Sequence, residues 1–150
     1  QELLAKENIE SELDSKRGCD HGMWTVLSRV FPKADIPVVQ MSVNPDAKPE
    51  EWFKIGQTLA PLRKKDVLII GSGALVHNLN LMVDNKVDPK KLYGRAVEFE
   101  KWIMENIYNN DAENLLKFYE KAPNAKQAVP TSEHFIPLIY ALGAGSTTKK

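Results

Sequence analysis

Histidine titrates closer to neutrality than any other unperturbed side chain, which suits it to binding metals and moving protons. The chain has three, each inside a short run of small or polar residues. The runs are Asp20-His21-Gly22-Met23-Trp24, Gly71-Ser72-Gly73-Ala74-Leu75-Val76-His77-Asn78-Leu79 and Pro130-Thr131-Ser132-Glu133-His134-Phe135. Gly, Asp, Glu or Asn stands beside each one, which invites an active-site reading of His21, His77 and His134. The other reading is of three unrelated histidines that cap helices or satisfy local hydrogen bonds. Spacing does not choose between them, since no two form an HxxxH or HExxH pair.

Gly71-Ser72-Gly73 raises two further chemistries. A nucleophile elbow needs glycines two before and two after the serine, where Ile70 and Ala74 stand. A dinucleotide loop needs a third glycine where Val76 stands. Both fail on residue identity and leave Ser72 in a tight turn. Glu98 and Glu100 read as a solvated helix face rather than paired acids. Cys19, the one cysteine, reads as a small buried residue more than as a metal neighbour.

The elements that must position these residues follow from periodicity. Leu3, Leu4 and Ile9 suggest the end of an amphipathic helix. Trp24, Leu27, Val30 and Phe31 recur at helical spacing and predict a helix with a core-facing stripe, stopped by Pro32. Ile36 to Val43 is an apolar, β-branched run that reads as a buried strand. Pro49 sits at a helix start, and Trp52, Phe53, Ile55, Gly56, Leu59 and Leu62 supply that helix's buried face. Asp66 to Ile70 reads as a strand covered on both sides, running into the Gly71–Gly73 turn. The carboxyl end of such a strand is where open α/β sheets place ligands. Asn80 to Asp88 reads as a loop, Lys90 to Ile107 and Ala112 to Lys121 as helices, and Ala128 to Pro130 as a brief extended piece. Ser132 to Leu142 reads as a helix closed by Gly143-Ala144-Gly145, with Pro137 placeable only in its first turn or at a kink. The expected fold class is α/β, layered, with a mostly parallel or mixed central sheet flanked by helices. Two or three strands make a poor sheet, so the sheet is expected to be incomplete within this sequence.

At 150 residues the chain is long enough for one domain with a sizeable core. Twenty basic and twenty acidic residues cancel, so no nucleic-acid or membrane-surface partner is expected. No stretch reaches the roughly 20 apolar residues of a membrane span. The first residues do not read as a secretory signal. A lone cysteine fits a reducing compartment, and a cytoplasmic location is expected.

Taken in order, several motifs together resemble one family. They are Asp20-His21-Gly22-x-Trp24, Ile36 to Ser42, Val67 to Gly73 with His77-Asn78-Leu79, Ser132-Glu133-His134-Phe135-x-Pro137-Leu138, and Ala141-Leu142-Gly143-Ala144. From about Gly18 to Gly145 the chain resembles the class III extradiol ring-cleavage dioxygenases of the LigB type, in the branch containing DOPA 4,5-dioxygenases. The resemblance implies an enzyme that opens a catechol-type ring, DOPA for example, with O2 at a non-haem Fe(II) or Zn site. It implies that His21 contacts substrate or transfers a proton, and that His77 is metal ligand or general base. It makes His134 a metal ligand, with Glu133 as the alternative carboxylate. Asp20 and Asn78 would orient their histidines. The family's other metal-ligating histidines lie in an N-terminal Gly-His-Gly segment and a further motif, neither of which is present. Val129 stands where relatives commonly carry histidine, and Met23 where a small or hydroxylated residue is common. Residues 1–145 are thus expected to be the C-terminal portion of one catalytic domain, partnered by the missing N-terminal part, with 146–150 a flexible tail. The alternative function is a non-catalytic metal- or small-molecule-binding remnant.

Overall fold

The computed structural model describes residues 1–79 and 88–146. The loop expected at Asn80–Asp88 lies, except for Asp88, outside the described residues, as does the tail beyond Ser146.

Two helices form the frame. Pro49–Leu59 (α3, after α1 at Glu2–Lys6 and α2 at His21–Val30) begins with proline at its first turn, where a missing amide donor costs nothing. Ile136–Gly145 (α8) carries Pro137 in its first turn for the same reason. The two pack backbone against backbone: a Cβ on Gly56 would lie 2.2 Å from the Tyr140 carbonyl oxygen, and one on Gly143 would lie 2.3 Å from that of Phe53. Gly143 therefore serves packing, and the helix runs through Gly143 and Gly145 instead of being capped there. A 3-10 helix, Ala60–Lys65, continues α3 past Pro61.

The long helix Pro89–Tyr108 (α4) starts on Asp88, whose carboxylate accepts from the Lys90 amide. The expected helix from Ala112 to Lys121 is broken in two, Ala112–Leu116 (α5) and Phe118–Lys121 (α6). One turn at Ala125–Ala128 (α7) replaces part of the expected extended piece. Phe99 and Ile103 of α4, Leu115, Phe118, Phe135 and Ile136 form the fully buried core with Trp52 and Ile139. Phe135 stacks on Phe118 at 4.2 Å between ring centroids.

The α/β expectation is not met: among the described residues there is no strand. The runs Ile36–Val43 and Asp66–Ile70 are irregular and open to solvent, with Val39 90% and Leu68 70% exposed. A strand exists only through a neighbour that completes its hydrogen-bond ladder, and no described segment supplies one. Both runs were expected to be buried; among the described residues neither is covered. Similarly, α2 forms but buries nothing; Trp24 and Val30 are more than half exposed. Cys19, expected to be buried, is exposed.

Candidate active site

The approach to α8 decides where His134 points. Ser132, Phe135 and Ile136 are buried while Glu133 and His134 are exposed. The Ser132 carbonyl accepts from the amides of Phe135 and Ile136, a tight turn that pins the aromatic side inward and turns the polar pair outward.

The glycine turn lies against this bend. The Ala74 amide donates to the His134 carbonyl at 2.9 Å, and the His77 amide to the Ala128 carbonyl at 2.9 Å. A Cβ on Gly73 would sit 2.2 Å from the His134 oxygen, and one on Gly71 2.3 Å from that of Pro137. Only glycine permits so close an approach. The Asn78 side-chain amide donates to the Gln127 carbonyl at 2.7 Å, adding a third tie. These bonds bring the imidazoles of His77 and His134 into a stack, 3.7 Å between centroids and 21° between planes.

Glu133 belongs to the same cluster. Hydrogen bonds from Thr131 and from its own backbone, then the fields of His134 and His77, hold its carboxyl below the usual glutamate range. Tyr119 lies within its field: burial first, and then Glu133, push the phenol upward. The Tyr119 hydroxyl donates to the Val129 carbonyl at 3.1 Å. His134 also lines, with Gly71, Gly73, Ala74, Leu138 and Ala141, an apolar groove of about 160 Å³.

His21 reaches this region through its helix. It opens α2, and Ser72 of the glycine turn donates to the neighbouring Gly22 carbonyl at 2.6 Å. The His21 ring itself stands edge-on to Trp24 at 5.4 Å. The structure therefore joins His77 to His134 ring to ring, and ties the start of the His21 helix to the same turn. Asp20 accepts from the Met23 amide and from Gln40, so its carboxylate is used to hold backbone and side chain. Sequence reasoning passed over Tyr119, Thr131 and Gln40; hydroxyls and amides carry no spacing signature, and only the fold brings them in.

Two imidazoles and a carboxylate are a suitable donor chemistry for iron or zinc. Among the described residues, however, no group of three or more His, Cys, Asp or Glu is placed to hold a metal. The donors found fit part of a metal site. No described helix is long and apolar enough to cross a membrane.

The whole chain, residues 1–150, matches the family described as the catalytic LigB subunit of aromatic ring-opening dioxygenase. It is 41% identical over 153 residues to a 4,5-DOPA dioxygenase extradiol of Beta vulgaris, covering 100% of this chain and 55% of that protein. It is 37% identical to the 4,5-DOPA dioxygenase extradiol of Escherichia coli K12, covering 95% and 52%. The crystal structure of an uncharacterized Escherichia coli K12 protein superposes with a TM-score of 0.78 at 34% identity, covering 95% of this chain and 58% of that one. The chain thus spans about half the length of the curated relatives it matches. With the histidine motifs inside the matched region, the chain belongs to the LigB family of aromatic ring-opening dioxygenases.

Proposed function

We propose that the chain carries part of the active site of an extradiol dioxygenase that opens a catechol-type ring with O2. The observation that carries the reading is the stacked His77–His134 pair beside an apolar groove of about 160 Å³. That volume is close to the roughly 150 Å³ apolar cavity known to hold a benzene molecule. DOPA is the substrate named for the relatives and is proposed here as one member of the class.

His134 and His77 are the residues that would hold the metal, Fe(II) or Zn, with Glu133 as the alternative to His134. When bound, the ion supplies Lewis acidity and a shared point of attachment for the reactants. The chain's own residues do the rest. His77, whose amide is tied to Ala128, would serve either as that ligand or, left off the metal, as the base that takes a phenolic proton; His21 contacts the ring substituent or moves the second proton. Glu133, its carboxyl held below the usual glutamate range first by Thr131 and its own backbone, keeps its negative charge beside the two imidazoles. Gly71, Gly73 and Ala141 give the groove a side-chain-poor wall, which suits a planar ring.

Metal content and catechol turnover should be measured for this chain and for one extended by its natural coding sequence to the relatives' length. Ring opening with about one metal per chain is expected in the longer protein. His77→Ala and His134→Ala should each lower kcat at least a hundredfold, within the range of one acid–base group. Catechol binding without turnover in both lengths would favour the non-catalytic remnant.

A further inference from the structure

Helix α2 poses a mechanical problem. It carries His21, yet none of its residues is buried, and Trp24, Val26 and Val30 face solvent. Packing therefore does little to hold it. What ties its first turn to the rest of the chain is a set of hydrogen bonds from residues that the proposed chemistry does not use.

Asp20 caps the helix, accepting from the Met23 amide at 2.9 Å through Oδ1. Its other oxygen, Oδ2, accepts from Gln40 Nε2 at 3.0 Å, while the Asp20 amide donates to Gln40 Oε1 at 3.0 Å. The pairing is reciprocal. A glutamine amide is the side chain that offers a donor to the carboxylate and an acceptor to the backbone N–H at once. Glutamate at 40 would keep the second bond and set a like charge against Oδ2. From the opposite direction Ser72 Oγ donates to the Gly22 carbonyl at 2.6 Å. Gly22 itself is not sterically required, because a Cβ there would meet Asp20 and Ser72 at 3.5 and 3.6 Å, ordinary contacts. The hydroxyl at 72 and the amide at 40 are the specific elements.

Ser72 is also one residue from Gly73, which lies on the His134 carbonyl, and two from Ala74, which bonds to it. A displacement of the α2 start is thus referred directly to the frame of the histidine pair. We propose that Asp20, Gln40 and Ser72 are positioning residues, a hydrogen-bonded clamp on the first turn of α2, and so on His21: Ser72 locks it to the glycine turn leading to His77, and the Asp20–Gln40 pair locks it to the 36–43 run. The functional meaning of the clamp rests on the reading of His21 as a substrate-facing residue; the clamp itself does not.

The test is NMR on the isotope-labelled chain, reading the ring signals of His21 and Trp24, which shift each other through their edge-to-face contact. Ser72→Ala and Gln40→Glu should each move both sets toward the values of isolated rings. They should also speed exchange of the Met23 amide about fivefold, the effect of losing roughly one capping interaction. The signals of the stacked His77 and His134 should stay in place. Two rescues follow from the geometry. Ser72→Thr keeps the hydroxyl, and Asp20→Asn combined with Gln40→Glu reverses the polarity of the pair while preserving all three of its bonds. Both should restore the His21 signals, as should the steric control Gly22→Ala leave them unchanged. Unmoved His21 signals in Ser72→Ala and Gln40→Glu would overturn the clamp. So would equal disturbance of all three histidines, or failure of the polarity reversal to rescue. Addition of 4-methylcatechol to the unaltered, zinc-loaded protein of the relatives' length separates the two ideas. If it shifts no histidine signal, the ring-opening reading fails while the clamp stands.

Discussion

Glu133 is held by an unusual set of neighbours for an exposed carboxylate: a threonine hydroxyl, its own backbone and two imidazoles. Because its folded pKa is depressed, its stabilising effect is fully present above the ordinary glutamate range and disappears as pH falls through the lower, folded value. Thr131→Val removes the largest of these influences. The Glu133 carboxyl resonance should then titrate at higher pH than in the unaltered chain, and the acid limb of stability should shift upward with it. An unchanged titration would mean that its own backbone hydrogen bond and the histidines, rather than Thr131, govern this carboxylate. At this scale the sequence marked the three histidines and Glu133 by type and neighbourhood. It did not mark Thr131, Tyr119 or Gln40, whose roles depend on contacts across 2 to 20 positions of chain or more.

Among the elements, glycine divides into two physical classes. Gly56 and Gly143 sit where α3 and α8 touch, and a methyl group at either would press on backbone that cannot retreat. Gly56→Ala and Gly143→Ala should each destabilise the chain by roughly 1–3 kcal/mol, read by chemical denaturation. Gly94, in the exposed middle of α4, meets nothing within 4 Å. Gly94→Ala should stabilise by about 0.5–1 kcal/mol through helix propensity alone. Opposite signs for the same substitution would establish the distinction; losses of equal size would refute it. The same contrast explains what was legible. Helices α3 and α4 followed from local periodicity, with proline marking the start of α3. The end of α8 was misplaced because Gly143-Ala144-Gly145 looks like a cap until the partner helix is known. The strands failed for a deeper reason: an apolar run states that it needs cover, and the ladder that makes it a strand is non-local.

For the whole molecule, the unladdered runs matter most. Ile36, Val38, Val39 and Met41 of one run and Val67, Leu68 and Ile70 of the other are exposed together. Apolar surface of this kind favours association. Val39→Lys with Leu68→Lys should reduce concentration-dependent self-association in analytical ultracentrifugation and lower binding of a hydrophobic dye. Stability should change by no more than about 0.5 kcal/mol, as for other exposed positions. A large loss of stability would show that these side chains pack more closely than their exposure indicates. The contrast with the α3–α8 core, where Trp52, Ile136 and Ile139 are fully buried, sets order and stickiness side by side, since Trp52 lies between the two exposed runs in sequence.

The two backbone bonds that flank the histidine pair, Ala74 to His134 and His77 to Ala128, also set a timescale. With both chain segments tied on either side, the rings can open their stack by turning about side-chain torsions while the backbone stays put. Such rotations at partly exposed positions take picoseconds to nanoseconds, whereas loop rearrangements take nanoseconds to microseconds. Adjustment of the pair to an incoming ring or ion should then be faster than diffusion can deliver either one, so that this part of the site imposes no delay on capture.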